Sequence, residues 1–225
     1  MKDLIQIAGV IDSEEALMLI EEGVDYVGFP LRLPVHKEDL SEDEAVDVIK
    51  LINPPHYGVL ITYLNKAEEI VEFCNKLNVK IVQLHGGISK DELEKTKLLN
   101  PDLEVIKSLV INGSNYPELE KTISLLSPWV DAYITDTFDP VTGASGATGK
   151  THDWRISKKL IQFSPKPVII AGGLNPGNVL SAILELRPAG VDVHTGVEDP
   201  DGRKSRTMVR EFVRESLKGF SLLNS

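Results

Sequence analysis

The chain has 225 residues, 42% of them hydrophobic and 26% charged, with 24 Lys and Arg against 34 Asp and Glu for a formal charge of −10. That is the composition of a folded globular protein rather than a disordered one, and the acidic balance disfavours a surface that tracks nucleic-acid phosphates. A single cysteine, Cys74, excludes an internal disulfide and a cysteine-based zinc site, and points to a reducing, cytoplasmic setting. No window reaches the roughly 18 apolar residues of a membrane span, and acidic residues interrupt the N-terminus before it forms a signal peptide.

Taken in chain order, short Val- and Ile-rich runs alternate with longer amphipathic stretches. Strands are expected at Leu4–Val10, Tyr26–Pro30, Tyr57–Tyr63, Lys80–Leu84, Glu104–Ser108, Asp131–Thr135, Pro167–Ala171 and Val191–Thr195. Helices are expected at Ser13–Glu22, Glu42–Ile52, Ala67–Leu77, Lys90–Leu99, Pro117–Leu126, Trp154–Phe163, Pro176–Glu185 and Arg206–Leu217. Asp12 or Ser13, Ser41 and Ser89 stand where a side-chain oxygen accepts from the first free amides of a helix. Runs such as IVQLHG, AYITD and PVIIAGGL are apolar throughout, as strands of a parallel sheet covered on both faces are. The alternation predicts a single α/β domain over residues 1–225, a (β/α)8 TIM barrel with its reactive groups at the carboxyl ends of the strands. An open doubly wound sheet is the rival, but it uses fewer strands at this length.

The loop DPVTGASGATGKTHDW ends in Gly149-Lys150-Thr151 and invites a nucleotide-binding reading. The spacing fails, because the position five before Gly149 is Ala144 and Gly143 comes one residue too early. What survives is a loop of small residues, Gly146 and Gly149 among them, whose backbone amides could face an anion; a plain turn is the alternative. After the seventh strand come Gly172 and Gly173, and after the eighth His194-Thr195-Gly196. Glycine lets a backbone approach a phosphate closely, and these are the two loops from which barrels often build a phosphate site. Cys74, Trp129 and Trp154 read as packing residues, and His152-Asp153 has no partners at metal-ligand spacing. No metal site is expected.

IVQLHG, VIKS at Val105–Ser108, the aspartate closing AYITD, GATGKTHDW, AGGLNPGNV and VDVHTGVEDPDGRK occur in this order over nearly the whole chain. In that combination the chain resembles phosphoribosylanthranilate isomerase, a TIM-barrel enzyme of tryptophan biosynthesis. The resemblance implies an Amadori rearrangement of an aminoaldose phosphate to an aminoketose, without cofactor or metal. It implies Asp136 as the general acid that opens the furanose ring, and Gly172, Gly173, Thr195 and Gly196 as ligands of the substrate phosphate. A strand-end aspartate that merely caps a loop is the plain reading of Asp136.

Two segments depart from the family pattern. Where the family has Lys-Ile-Cys-Gly, with the cysteine as base, this chain has Gln6-Ile7-Ala8-Gly9, and Ala8 takes no proton. His194, His85 and Asp12 stand near strand ends as replacements, although His85 could equally be a structural donor and His194 a phosphate ligand. After the second strand, FPLRLPVHKEDLS carries Glu38 near the place of the arginine that meets the substrate carboxylate; Arg32, His36 and Lys37 are the substitutes, or a solvated loop. The expectation is a sugar-phosphate isomerase of this kind. A barrel enzyme acting on a different phosphosugar and a noncatalytic phosphate binder are the alternatives. The partner is a small phosphorylated sugar, not a nucleic acid or a membrane; a homodimer is left open.

Overall fold

A computed structural model describes residues 2–34, 38–113, 115–137 and 154–224. The strands are β1 Leu4–Ala8, β2 Tyr26–Pro30, β3 Tyr57–Thr62, β4 Ile81–Leu84, β5 Glu104–Ile111, β6 Ala132–Thr137, β7 Val168–Ile170 and β8 Gly190–Val193. Following them in turn are α1 Ser13–Glu21, α2 Glu42–Ile49, α3 Ala67–Leu77, α4 Lys90–Leu99, α5 Tyr116–Leu126, α6 Trp154–Phe163, α7 Val179–Leu186 and α8 Arg206–Leu223. Each strand pairs in parallel with its neighbours in sequence, and β8 closes on β1, so the sheet is a barrel with no open edge.

Alternation along the strands produces two apolar layers. Leu4, Ala8, Val59, Ile61, Ile81, Ile106, Ala132, Ile134, Ile169 and Ala171 fill the barrel interior as one cluster. The intervening residues, such as Ile5, Ile7, Val82, Leu84, Val191 and Val193, join the larger cluster between sheet and helices. Cys74 lies in that outer layer on α3, and burial pushes its thiol up to about 12, as suits a packing residue. Trp129 and Trp154 also pack against it.

The boundaries move where local chemistry overrides the apolar pattern. The second helix ends at Ile49, three residues early, because Leu51 and Ile52 donate three residues back to Val48 and Ile49 and tighten the last turn before Asn53-Pro54-Pro55. The seventh helix begins at Val179 instead of Pro176: the Asn178 side chain accepts from the Asn175 amide at 2.9 Å, and that of Asn175 from Gly177 at 2.9 Å, forming a turn ahead of it. β5 runs on to Ile111 because its pairing with β6 continues, setting Val110 beside Asp136. α8 runs on to Leu223, with Phe220 buried near its end.

Candidate active site

Polar side chains interrupt the apolar interior in the middle of the barrel and at its carboxyl end. Gln6 sits between Ile5 and Ile7 on β1, so strand alternation turns it inward. Its Nε2 donates to Gln83 Oε1 on β4 at 2.8 Å and to Asp192 Oδ1 on β8 at 2.9 Å. β1 and β4 are not neighbours, so the first bond spans the interior. His85 keeps strand register because its N–H still donates to the Thr62 carbonyl at 2.8 Å, which puts it on the face of Gln83. Gln83 Nε2 meets His85 Nε2 at 2.8 Å, and His85 Nδ1 meets Asp136 Oδ2 at 3.1 Å. The Tyr63 ring packs 5.6 Å from the His85 ring. Gln6, Gln83, His85, Asp136 and Asp192 are all buried.

This geometry assigns the imidazole proton. Gln83 offers its oxygen to Gln6 and hence its NH2 to His85, so His85 Nε2 is the acceptor and the proton lies on Nδ1, facing Asp136. Burial pushes the Asp192 carboxyl up to about 7, with Asp136 raising it further and Gln6 and Lys204 pulling the other way. Lys107 on β5 is buried too; its Nζ donates to Leu84 O at 3.2 Å and to Ser108 O and Oγ at 2.8 and 3.2 Å. Desolvation lowers this amine to about 8 against the favourable charge of Asp136.

A second group stands where β8 meets β1. Pairing runs from Leu4↔Gly190 to Ile7↔Val193, and Ala8 and His194 are the next residues along the two chains. The imidazole lies on the Gly9 backbone, at φ +80°, so closely that a Cβ there would come within 2.0 Å of Nε2. His194 Nε2 is 3.6 Å from Glu198 Oε1, and Glu198 is bonded to Lys204, whose side chain is fully buried. The Lys204 amide in turn donates to Glu15 at 2.7 Å.

The loops after β7 and β8 interlock at the same end. Gly172 and Gly173 adopt φ +100° and +66°, where other residues are strained. Thr195–Val197 forms a 3-10 turn that packs Gly196 on Leu174 O, leaving no room for a side chain: a Cβ would sit 1.9 Å from that oxygen.

The structure thus brings Asp136, His85, His194 and the glycines of both loops to one end of the barrel. It does not bring Arg32 with them: that guanidinium is bonded to Glu42 on α2 at 2.8 Å and lies 3.8 Å over Phe73 on α3, in the outer layer. Nor is Asp12 a loose carboxylate, since it caps α1 and pairs with Arg203 at 2.7 Å. Gly146, Gly149, His36 and Lys37 lie outside the described residues. Gln83, Lys107, Asp192, Glu198 and Lys204 carry no role in the sequence reading, although Gln83 is two residues from His85 and so shares its face.

The N-(5'-phosphoribosyl)anthranilate isomerase family model matches residues 5–215. A relative from Methanosarcina mazei, N-(5'-phosphoribosyl)anthranilate isomerase 2, is 33% identical and covers 96% of this chain and 95% of its own. The N-(5'-phosphoribosyl)anthranilate isomerase of Methanocaldococcus jannaschii is 34% identical, covering 93% and 94%. Among solved structures, phosphoribosyl anthranilate isomerase from Thermotoga maritima aligns with TM-score 0.79 at 28% identity over 96% of this chain and 98% of its own; that protein is also described as dimeric. Another, at TM-score 0.78 and 26% identity over 96% and 98%, holds reduced 1-(o-carboxyphenylamino)-1-deoxyribulose 5-phosphate. With the barrel closed, the acidic and imidazole groups at its carboxyl end and the match running over almost the full length, the chain belongs to the phosphoribosylanthranilate isomerase family.

Proposed function

We propose that the chain isomerises N-(5'-phosphoribosyl)anthranilate to the 1-amino-1-deoxyketose phosphate, with Asp136 as general acid and His194 as general base. The observation that carries this reading is the pair of proton-transfer groups at one end of the barrel: Asp136 on β6, held by His85, and His194 just after β8, facing Glu198. In the first step the Asp136 proton passes to the furanose ring oxygen, the bond from that oxygen to the anomeric carbon breaks, and the nitrogen lone pair forms the C=N bond. In the second, His194 removes the proton on the neighbouring carbon; a C=C bond forms and the C=N electrons return to nitrogen. Protonation of the former anomeric carbon, with loss of the hydroxyl proton from its neighbour as that C–O bond becomes C=O, then yields the ketone.

His194 is chosen over His85 because Gln83 occupies His85 Nε2 and Asp136 its Nδ1, which makes His85 a positioning residue. Gly172, Gly173, Thr195 and Gly196 are the phosphate ligands in this reading, supported by left-handed backbone at the first two and by the fit of Gly196 on Leu174. Arg32 is not assigned to the carboxylate, because Glu42 and Phe73 hold it elsewhere. A cytoplasmic reaction agrees with the single buried Cys74, and a homodimer with the relative from Thermotoga maritima.

The test is turnover of N-(5'-phosphoribosyl)anthranilate, generated in place, by the purified chain beside Asp136→Asn. Conversion that falls about 100-fold or more in the variant supports the reading. Conversion that is absent in the wild type, or unchanged in Asp136→Asn, overturns it.

A further inference from the structure

β6 stays paired with β5 as far as Ile111↔Thr137, but its pairing with β7 ends at Ile134↔Ile169. The two strands part just before β7 leads into Gly172 and Gly173. There a side chain takes over from the ladder. Thr135 Oγ1 accepts from the Ala171 amide at 3.0 Å and donates to the Ala171 carbonyl at 3.3 Å, and the threonine is fully buried. One hydroxyl, with its single proton and its lone pairs, thus holds both main-chain polar groups of the residue that precedes the paired glycines.

Glycine itself does little to fix a backbone, and Gly172 and Gly173 take φ values of +100° and +66° that only their lack of a side chain makes cheap. The shape of this loop is therefore set by what grips its ends. At the far end Asn178 Nδ2 donates to the Gly173 carbonyl at 2.9 Å, and at the near end the grip is the Thr135 hydroxyl on Ala171. Leu174 O, on which Gly196 of the β8 loop rests, follows directly, so the near grip bears on both loops.

We infer that Thr135 is a positioning residue whose hydroxyl preorganises the glycine loop after β7 for the substrate phosphate. The inference rests on the reading of that loop as a phosphate site. Valine has nearly the shape of threonine but neither donates nor accepts, so it leaves the Ala171 amide and carbonyl without this partner. The loop must then be ordered by the ligand, a cost that falls on binding and not on the chemical step. Serine keeps the hydroxyl and removes only a methyl group.

The test compares Thr135→Val and Thr135→Ser with the wild type at a temperature where each is folded. It reads hydrogen exchange of the Ala171 amide without ligand, the Kd of inorganic phosphate from its protection of the fold, and kcat and KM for N-(5'-phosphoribosyl)anthranilate. In Thr135→Val the Ala171 amide is expected to exchange about 10-fold faster or more. Phosphate Kd and KM are expected to rise together by about 10-fold, with kcat little changed. Thr135→Ser is expected to restore all three to near wild-type values. Should Thr135→Val misfold, Thr135→Cys, whose thiol is only a weak donor and acceptor, carries the same comparison. A merely structural role would lower stability and leave phosphate Kd and KM where they were, and that result overturns the inference. So does unchanged Ala171 exchange, a serine variant that fails to rescue, or a fall in kcat at constant KM, which would place the effect on the adjoining Asp136. Absence of phosphate protection in the wild type overturns the phosphate reading of the loop and the inference with it, whereas the variant results overturn the inference alone. The phosphate measurement needs no turnover, so failure of the isomerase reading appears separately, as absence of wild-type conversion.

Discussion

Asp192→Asn gives the most quantitative test of the polar interior, through stability rather than turnover. Burial raises the folded carboxyl from 3.8 to about 7. Between those values the native protein keeps a proton that the unfolded chain has released, so the stability this group contributes is fully present below 3.8 and is lost as pH rises through about 7. A little over three pKa units corresponds to about 4 kcal/mol, an upper bound for one site. Asparagine has the shape of the neutral acid and nothing to titrate. The variant should match the wild type near pH 4 and exceed it increasingly towards pH 7.5, by up to about 4 kcal/mol. Urea unfolding of both proteins across that window measures the difference, in which the other carboxylates cancel. A pH-independent difference, or one that shrinks as pH rises, would refute the argument.

Lys107→Met tests the other buried charge. The native amine titrates at about 8 against 10.5 in the unfolded chain, so wild-type stability should rise between those values relative to the variant, and equal slopes in that range would contradict it. Gly196→Ala should force the β7 and β8 loops apart at Leu174 O and raise KM for the phosphorylated substrate about tenfold or more, with protection of the fold by inorganic phosphate weakened in parallel; an unchanged KM would remove Gly196 from the phosphate site. Asp131→Ala removes the acceptor for the Val105 amide and for Lys97 at the start of β6, and should cost about 1–3 kcal/mol in denaturant unfolding without altering kcat.

The fold was legible because a parallel barrel imposes the same rhythm on every unit. Apolar strands such as PVIIAGGL and amphipathic helices such as Ala67–Leu77 declare themselves within a dozen residues. The site was legible only in part. Asp136 and the paired glycines lie in local motifs, and their convergence follows once the barrel is granted. The polar string was not, since Gln6 and Gln83 are 77 positions apart and Gln6 and Asp192 186 apart. What remains in the sequence is a weak sign: Gln6, Gln83 and Asp192 each interrupt an apolar strand at an inward position. The neighbourhood of Ala8 and His194 was hidden for the same reason, because β1 and β8 meet only when the barrel closes. Arg32 misled through proximity in sequence: its backbone, at φ +54°, and its Glu42 and Phe73 contacts carry the side chain to the helical layer.

The step on which the proposed mechanism turns is removal of the substrate proton by His194, just after the last strand, in a barrel whose first strand ends in Ala8. Its most direct test is the turnover of N-(5'-phosphoribosyl)anthranilate by wild type and His194→Ala, with Ala8→Cys added to the latter. His194→Ala is expected to lower kcat by about 100-fold or more with KM changed little, and a thiol at position 8, which follows the paired Ile7 as residue 194 follows Val193, to recover part of the loss. Full turnover in His194→Ala would contradict it.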